Sequence, residues 1–137
     1  MNVSKKPTID VTAAIIINEG KFLICQRPKN KSCGLLWEFP GGKIEPGETA
    51  AECIIRECNE ELGVNLESVK HYCDITYEYE DRIVKLSFHT ASIKNKRSII
   101  IKEHNAINWI TASDINEYKL CPADQKMIDT KGLPNIK

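Results

Sequence analysis

The sequence has none of the features that mark a membrane-spanning protein, a secreted protein or a polycation. The longest apolar run, Ala13 to Ile17, is too short to cross a bilayer, and no apolar segment of signal-peptide length follows the N-terminal lysines. Lys plus Arg number 19 and Asp plus Glu number 19, so the positive excess typical of proteins that coat nucleic acid or anionic membranes is absent. We therefore expect a cytoplasmic protein that binds neither a nucleic-acid polymer nor a membrane.

The sequence also lacks the cysteine pattern of a disulfide scaffold. Its six cysteines are scattered and include no CxxC pair, and 137 residues are enough to build a hydrophobic core without cross-links. Free cysteine behaves as a small hydrophobic residue, so reduced and mostly buried thiols are favoured over disulfides. The length predicts one domain, residues 1–137, and leaves both a monomer and a homodimer open.

Apolar alternation and turn residues predict a chain that begins with strands. Thr8 to Asn18 is rich in β-branched residues, and after Asn-Glu-Gly the segment KFLICQR alternates again, which predicts a hairpin. Leu35 to Phe39 predicts a short strand, ended by Pro40-Gly41-Gly42 and followed by a loop to Gly47. Later predicted elements are a hairpin from Val69 to Lys94 turning at Glu80-Asp81-Arg82, strands at Ser98 to Lys102 and Ala106 to Ile110, a helical turn at Ser113 to Tyr118, and a helix at Ala123 to Thr130 with Pro122 at its first position.

The middle of the chain is predicted to form a helix, because it has sequence signals for both a helix start and a helix end. Thr49 and Glu52 have the spacing of a capping box, and Gly63 supplies a stop, so the helix is predicted to run from Ala50 to Leu62. At about 100° per residue, one stripe of this helix is expected to face the core and a second to carry the acidic residues. The expected core stripe is Ala51, Ile55, Cys58 and Leu62. Strands around one central helix and a closing helix predict an α+β fold, layered α/β/α, on a mixed sheet.

The acidic stripe consists of Glu57, Glu60 and Glu61, which lie within about one turn although like charges at this spacing repel. Carboxylates that converge in this way are ligands for a hard cation, Mg²⁺ or Mn²⁺. The alternative is a solvated glutamate-rich face, because glutamate favours helices. The preceding loop favours the metal, since Gly41-Gly42 lets backbone approach a ligand and Pro46-Gly47 fixes a second bend before the helix. The loop lacks the Gly-Lys-Ser/Thr ending of a P-loop.

These residues resemble the signature of a known family. The chain has a pattern similar to the complete Nudix hydrolase motif: Gly42, then five residues, Glu48, then seven residues, and the segment from Arg56 to Val64. The one departure is Cys58, which stands where Leu, Ile or Val is usual. The segments WEFPGGK, YEYEDR, IKEHNAINW and LCPAD resemble the MutT-like branch in order and spacing, from Ala13 to about Asp129. The resemblance implies the Nudix-type α/β/α sandwich with a mixed central sheet and one catalytic helix.

The resemblance also implies an activity and a set of site residues. The activity is Mg²⁺-dependent hydrolysis of a nucleoside triphosphate to a nucleoside monophosphate and pyrophosphate, with Mn²⁺ able to substitute. For Arg56 the alternative is a solvated helix charge, and Glu103 is either a metal ligand, a general base or an ordinary loop residue. The implied catalytic residues are Glu48, Arg56, Glu57, Glu60, Glu61 and Glu103; the implied metal ligands are Gly42 through its carbonyl, Glu57, Glu60, Glu61 and Glu103; and the implied substrate-binding residues are Arg27, Phe39, Tyr79 and Asp124.

The substrate-binding residues leave the base open. Phe39 and Tyr79 match positions that stack on a base, although either also fits a core aromatic, and Arg27 is either a phosphate or base contact or a surface arginine. MutT-like enzymes acting on 8-oxo-dGTP often have Asn in the place of Asp124, and relatives with Asp there include enzymes acting on cytosine nucleotides. An ionised Asp only accepts hydrogen bonds, which suits the cytosine amine or the N–H groups of oxidised guanine. The alternative is an Asp stabilised by the helix dipole.

Several functions remain within the resemblance. We predict an enzyme that clears damaged nucleotides, similar to 8-oxo-dGTP diphosphatases; the alternatives are a diphosphatase of CTP or modified dCTP and a dinucleoside polyphosphate hydrolase. An ADP-ribose hydrolase often has a proline about fifteen residues past the motif, and this chain has none between Pro46 and Pro122. A nucleotide sensor without turnover commonly loses a glutamate of the motif, and none is lost here.

Overall fold

The structure is a computed structural model that describes residues 6–94 and 98–136. Within these residues, four strands precede the first α-helix and three more precede the last, an order that fits the predicted α+β fold. The 3-10 helix Ala112–Glu117 precedes the last helix and matches the predicted helical turn. The strands are β1 (Thr8–Asn18), β2 (Lys21–Gln26), β3 (Trp37–Glu38), β4 (Gly41–Lys43), β5 (Leu66–Glu78), β6 (Ile83–Ile93) and β7 (Ala106–Ile110), and the α-helices are α1 (Ala50–Leu62) and α2 (Pro122–Thr130).

Strand β1 organises a mixed sheet. It pairs in parallel with β6, from Thr8 opposite Ile83 to Ile16 opposite Ala91. On its other edge it pairs antiparallel first with β4 and then, at its end, with β2. The main path through the sheet is β3-β2-β1-β6-β5, and β7 pairs with β2. The predicted mixed sheet and both predicted hairpins, β1–β2 and β5–β6, are therefore confirmed.

The sheet is covered on both faces, which explains the unbroken apolar run in β1. Ala13 and Ile15 belong to a core cluster that includes Met127 of α2. Ala14 and Ile16 point the other way, into a cluster that includes Ile54 and other buried residues of α1. A strand buried on both faces needs apolar residues at successive positions rather than at alternate ones. The predicted α/β/α layering is thereby confirmed.

Helix α1 begins and ends where the sequence predicts. The hydroxyl of Thr49 accepts from the Glu52 N–H at 3.1 Å, and the Glu52 carboxylate accepts from the Thr49 N–H at 2.9 Å. Gly63 has a φ of 67°, and its N–H donates to the carbonyl of Asn59 at 2.9 Å. The reciprocal cap and the left-handed glycine satisfy donors and acceptors that a helix end otherwise leaves free.

The predicted core stripe of α1 is wrong in part. Ile55 is 41% exposed and Ala51 is only half-buried, whereas Cys58 and Leu62 are buried as expected. The helix is rotated so that the side containing Glu61 faces inward. The prediction kept every glutamate out of the core because charged residues are rarely buried. The buried residues of α1 are Cys53, Ile54, Cys58, Glu61 and Leu62.

Three strand predictions also need correction. The predicted strand at Leu35 to Phe39 is limited to Trp37–Glu38, and the segment Gly41–Lys43, predicted as turn and loop, is strand β4. The predicted strand at Ser98 to Lys102 is a loop instead, because its N–H groups bond to the end of α1 rather than to a neighbouring strand. In that loop the N–H of Ile100 donates to the Leu62 carbonyl at 2.8 Å, and the N–H of Lys102 to the Glu61 carbonyl at 3.1 Å.

Two other expectations are resolved by the structure. All six cysteines are free thiols, and five of them are buried, so the prediction of reduced, mostly buried cysteines is confirmed. Among the described residues, no helix combines the length and apolarity that a membrane crossing requires.

Candidate active site

Arg56 is the centre of a hydrogen-bond network on α1. Its Nε donates to Glu48 Oε2 at 2.6 Å and its Nη2 to Glu48 Oε1 at 3.0 Å, which is a bidentate pair. Its Nη1 donates to Glu57 at 3.0 Å and to Glu60 at 3.3 Å, and Nη2 also reaches the Lys43 carbonyl at 3.2 Å. The bonds from Arg56, with one from the Glu45 N–H, lower the pKa of Glu48 to about 2. Arg56 thus joins the loop before α1 to two carboxylates of the acidic face.

Gly42 lies against the carboxyl group of Glu57. A Cβ added at Gly42 would overlap the Glu57 carboxyl atoms, so a larger residue there would displace this side chain. The Gly42 carbonyl lies 3.4 Å from the Thr12 hydroxyl and 3.6 Å from the Cys53 thiol, at the edge of the same face. Strand β4 therefore brings a backbone carbonyl next to the acidic residues of α1, although the sequence indicated only a turn.

Glu61 is buried, with 6% of its surface exposed. Its Oε1 has no hydrogen-bond partner among the described residues. Burial, and next the neighbouring Glu57, raise the pKa of Glu61 to about 10. A buried carboxyl group that lacks partners either stays protonated or is matched by a cation. Among the carboxyl groups of α1, Glu61 is therefore the one whose ionised form a bound cation would stabilise most.

The donors on this face fit a hard divalent cation in their chemistry. All are oxygens, from three carboxylates of α1 and from the Gly42 carbonyl, and the unpartnered Glu61 oxygen lies among them. No group of three or more acidic, histidine or cysteine side chains in residues 6–94 and 98–136 has the arrangement of a finished metal site. Arg56 occupies oxygens of Glu57 and Glu60, and Glu60 is half exposed. The face offers suitable ligands without a preformed cage.

The four predicted substrate-binding residues meet in one cavity of about 380 Å³, which Gly42 also lines. Phe39 forms one wall and packs edge-on against Phe88 in the core, with ring centroids 6.1 Å apart. Tyr79 forms another wall, and the Arg82 guanidinium lies 4.2 Å from its ring centroid. Phe39 therefore belongs both to the core and to the cavity. The predicted cavity residues are Arg27, Phe39, Tyr79 and Asp124.

Asp124 is buried at the start of α2, and its Oδ2 accepts a hydrogen bond from the Phe39 N–H at 2.9 Å. Burial, reinforced by the charge of Glu38, raises the pKa of Asp124 well above its ordinary value. Burial thus favours the neutral form, whereas the bond from the Phe39 N–H shows the carboxyl group as an acceptor, and the role of Asp124 towards the base stays a prediction. The alternative of an Asp stabilised by the helix dipole agrees with its position, because Asp124 lies in the first turn of α2.

A second cavity, of about 440 Å³, contains Glu103 together with Glu61 and His104. Glu103 lies on an exposed loop, so the structure brings it to the acidic face without fixing it by burial. Arg27 lines this cavity as well as the first, and it is held by the Ser32 carbonyl at 2.6 Å. Of the predicted metal ligands, Gly42 lines the first cavity and Glu61 and Glu103 line the second, whereas Glu57 and Glu60 line neither.

Two residues of the site were missed by sequence reasoning. Glu38 lies between Arg27, at 3.2 Å, and His104, at 3.0 Å, and it lines both cavities. His104 is buried beside Glu38 and Glu61. Both residues occur in segments that resemble the MutT-like branch, but nothing in the linear sequence places them together.

Comparisons with known proteins identify the family of this chain. The NUDIX domain family matches residues 12–130. The CTP pyrophosphohydrolase of Escherichia coli (strain K12) is 34% identical over 122 residues, which are 88% of this chain and 89% of that protein. The 8-oxo-dGTP diphosphatase of Proteus vulgaris is 33% identical over 84 residues, 61% of this chain and 75% of that protein. A crystal structure of the MutT protein from Methanosarcina mazei Go1 has a TM-score of 0.80 at 26% identity, covering 90% of this chain and 91% of that one. This chain belongs to the Nudix family of hydrolases.

Proposed function

We propose that the protein hydrolyses nucleoside triphosphates to nucleoside monophosphate and pyrophosphate, with Mg²⁺ as its cation and Mn²⁺ as a substitute. The observation that carries this proposal is the buried carboxyl group of Glu61, whose Oε1 has no hydrogen-bond partner among the described residues, on an acidic helix next to Gly42 at the cavity of Phe39 and Asp124. Nudix hydrolases generally use a divalent metal. The names of the relatives, a CTP pyrophosphohydrolase and an 8-oxo-dGTP diphosphatase, support the same reaction class.

The chain's own groups have distinct tasks in this proposal. A bound cation would lower the pKa of a coordinated water and offset the phosphate charge. Arg56 keeps Glu48 and Glu57 oriented through its fixed guanidinium plane. Glu103 is either a further ligand or the general base, and its place in the second cavity is compatible with both. The groups that would hold the cation are the Gly42 carbonyl, Glu57, Glu60, Glu61 and Glu103.

The base of the nucleotide is proposed to enter the cavity lined by Phe39 and Tyr79 and to stack on one of these rings. The carboxyl group of Asp124, held by the Phe39 N–H, then meets the edge of the base. As a hydrogen-bond acceptor, this carboxyl group suits the N–H groups of the oxidised guanine in 8-oxo-dGTP. The second candidate substrate is CTP or a modified dCTP, which the resemblance to the E. coli CTP pyrophosphohydrolase favours. A dinucleoside polyphosphate is a third.

A screen of nucleotides for pyrophosphate release tests the proposal. With Mg²⁺ present we expect turnover of one or more nucleoside triphosphates, no turnover in EDTA, and recovery when Mg²⁺ is added back. Glu57→Gln should reduce the rate by about 10³-fold or more, because a metal charge loses its partner. Glu117→Gln, on the exposed 3-10 helix, is the matched control and should leave the rate unchanged. Full activity in EDTA, or in the Glu57 variant, would contradict the proposal.

We further propose that residues 1–137 form one domain that works in the cytoplasm, as a monomer or homodimer, without a nucleic-acid polymer or a membrane as partner. Light scattering coupled to gel filtration distinguishes the two oligomeric states. Limited proteolysis tests the single domain, because a chain of two domains would give two stable fragments.

A further inference from the structure

His104 is a buried histidine placed between two carboxylates. Its side chain is 5% exposed, and its Nε2 lies 3.0 Å from Glu38 Oε2. The same Nε2 lies 3.8 Å from Glu61 Oε1, which is within ion-pair range and too long for a hydrogen bond. The ring thus bonds to Glu38 and lies next to the carboxyl oxygen of Glu61 that has no hydrogen-bond partner among the described residues.

The backbone on either side of His104 holds the ring in this position. On one side the Lys102 N–H donates to the Glu61 carbonyl at 3.1 Å, which fixes the loop to the end of α1. On the other side the Asn105 N–H donates to the Gln26 carbonyl at 2.8 Å, which fixes it to β2. A ring so constrained has little freedom to leave the two carboxylates, since its own main chain is bonded to the elements on both sides.

The two carboxylates belong to different parts of the site. Glu38 lines the cavity of Phe39 and Asp124 and is also paired with Arg27. Glu61 lines the second cavity, on the acidic face of α1. Glu38 lines both cavities, and His104 joins it to Glu61. His104 is therefore the connection between the wall of the nucleotide cavity and the face proposed to hold the cation.

We propose that His104 is a positioning residue: its ring N–H holds Glu38 and keeps the Glu61 carboxyl group oriented on the acidic face, so that cation affinity depends on a side chain that is not itself a ligand. This inference rests on the proposed function, because it assigns Glu61 to the cation. Groups that orient metal ligands from behind typically change metal affinity or activity by 10- to 100-fold when they are removed.

Mn²⁺ binding to the nucleotide-free protein, measured by calorimetry and electron paramagnetic resonance, tests the inference without relying on turnover. His104→Leu should weaken Mn²⁺ binding by about 10-fold or more, because the donor is lost. His104→Gln should stay within about threefold of the unmodified protein, since its amide retains an N–H donor. His71→Leu is the matched control: His71 makes a 2.9 Å contact with Asp74 on the exposed side of β5, far from the acidic face in the sheet, and its loss should leave Mn²⁺ binding unchanged.

Glu38→Leu provides a second route to the same result, and it is needed if His104→Leu does not fold. Removing the partner of His104 should also weaken Mn²⁺ binding, and the double variant Glu38→Leu/His104→Leu should lose no more than the weaker-binding single variant. Unchanged Mn²⁺ affinity in His104→Leu, an equal loss in His104→Gln, or fully additive losses in the double variant would each overturn the inference. If the unmodified protein binds no Mn²⁺, the proposed function itself fails.

Discussion

Glu61→Gln is expected to stabilise the metal-free protein while it abolishes hydrolysis. The folded protein holds Glu61 with a pKa of about 10 against an ordinary value of 4.5. Below pH 4.5 the carboxyl group is protonated in both the folded and the unfolded chain, so it has no effect on the free energy of unfolding. Above that pH only the unfolded chain releases the proton, and the folded state is progressively disfavoured until the pH passes the folded pKa.

The magnitude follows from the same two pKa values. From pH 4.5 to neutrality the unfolded state gains about 1.4 kcal/mol per pH unit, so Glu61 costs the folded protein about 3 kcal/mol at pH 7. Glutamine has nearly the same shape and no charge, so Glu61→Gln should recover about this amount, or roughly 10 °C in Tm. Metal binding requires the ionised carboxylate, so the same substitution removes activity.

Denaturant unfolding in EDTA at several pH values tests this reasoning. The variant should be more stable than the unmodified protein by about 3 kcal/mol near pH 7, by more near pH 9, and by almost nothing near pH 4. The substitution Glu67→Gln, on the exposed surface of β5, is the control and should show no such trend. A difference between the proteins that does not grow with pH would refute the assignment of a neutral, buried Glu61.

Three further outcomes are expected. Arg56→Lys should lower kcat by about 10²-fold, because a single ammonium cannot replace the bidentate pair with Glu48; a rate near that of the unmodified enzyme would contradict this role. Gly42→Ala should reduce activity and metal affinity while α1 stays folded by circular dichroism, since its Cβ displaces Glu57; unchanged Mn²⁺ titration would show that the close approach is unimportant. Asp124→Asn should change the ratio of 8-oxo-dGTP to CTP turnover, and it should raise stability once the pH exceeds the ordinary pKa of Asp, because burial raises the pKa of the folded group; an unchanged ratio would remove Asp124 from base recognition.

The sequence predicted what depends on local chemistry. The bounds of α1 follow from Thr49, Glu52 and Gly63, whose capping interactions involve neighbouring residues only. Strand β4 was missed because Gly41-Gly42 has the composition of a turn, and its pairing partner β1 lies far away in sequence. The buried face of α1 was misjudged because a core-facing glutamate contradicts the usual distribution of charge.

In the candidate site, too, the features set by neighbouring residues were predictable from the sequence, and those set by distant contacts were not. The residues of the acidic face were predicted because they lie within one motif, and their roles stay predictions. The pairing of Glu38 with His104 joins positions 66 residues apart, so no local pattern announces it. The raised pKa of Asp124 depends on burial by the whole fold, which no local pattern in the sequence indicates.

The pairing of β1 with β6 has a consequence for the order in which the protein assembles. Helix α1 packs on β1, but β1 acquires its long parallel neighbour only when the segment Ile83–Ile93 is present. A nascent chain that has emerged only as far as β5 therefore contains every glutamate of the acidic face on a helix with no finished sheet beneath it. Because β6 completes the pairing of β1, fragments that end before β6 are expected to remain unfolded.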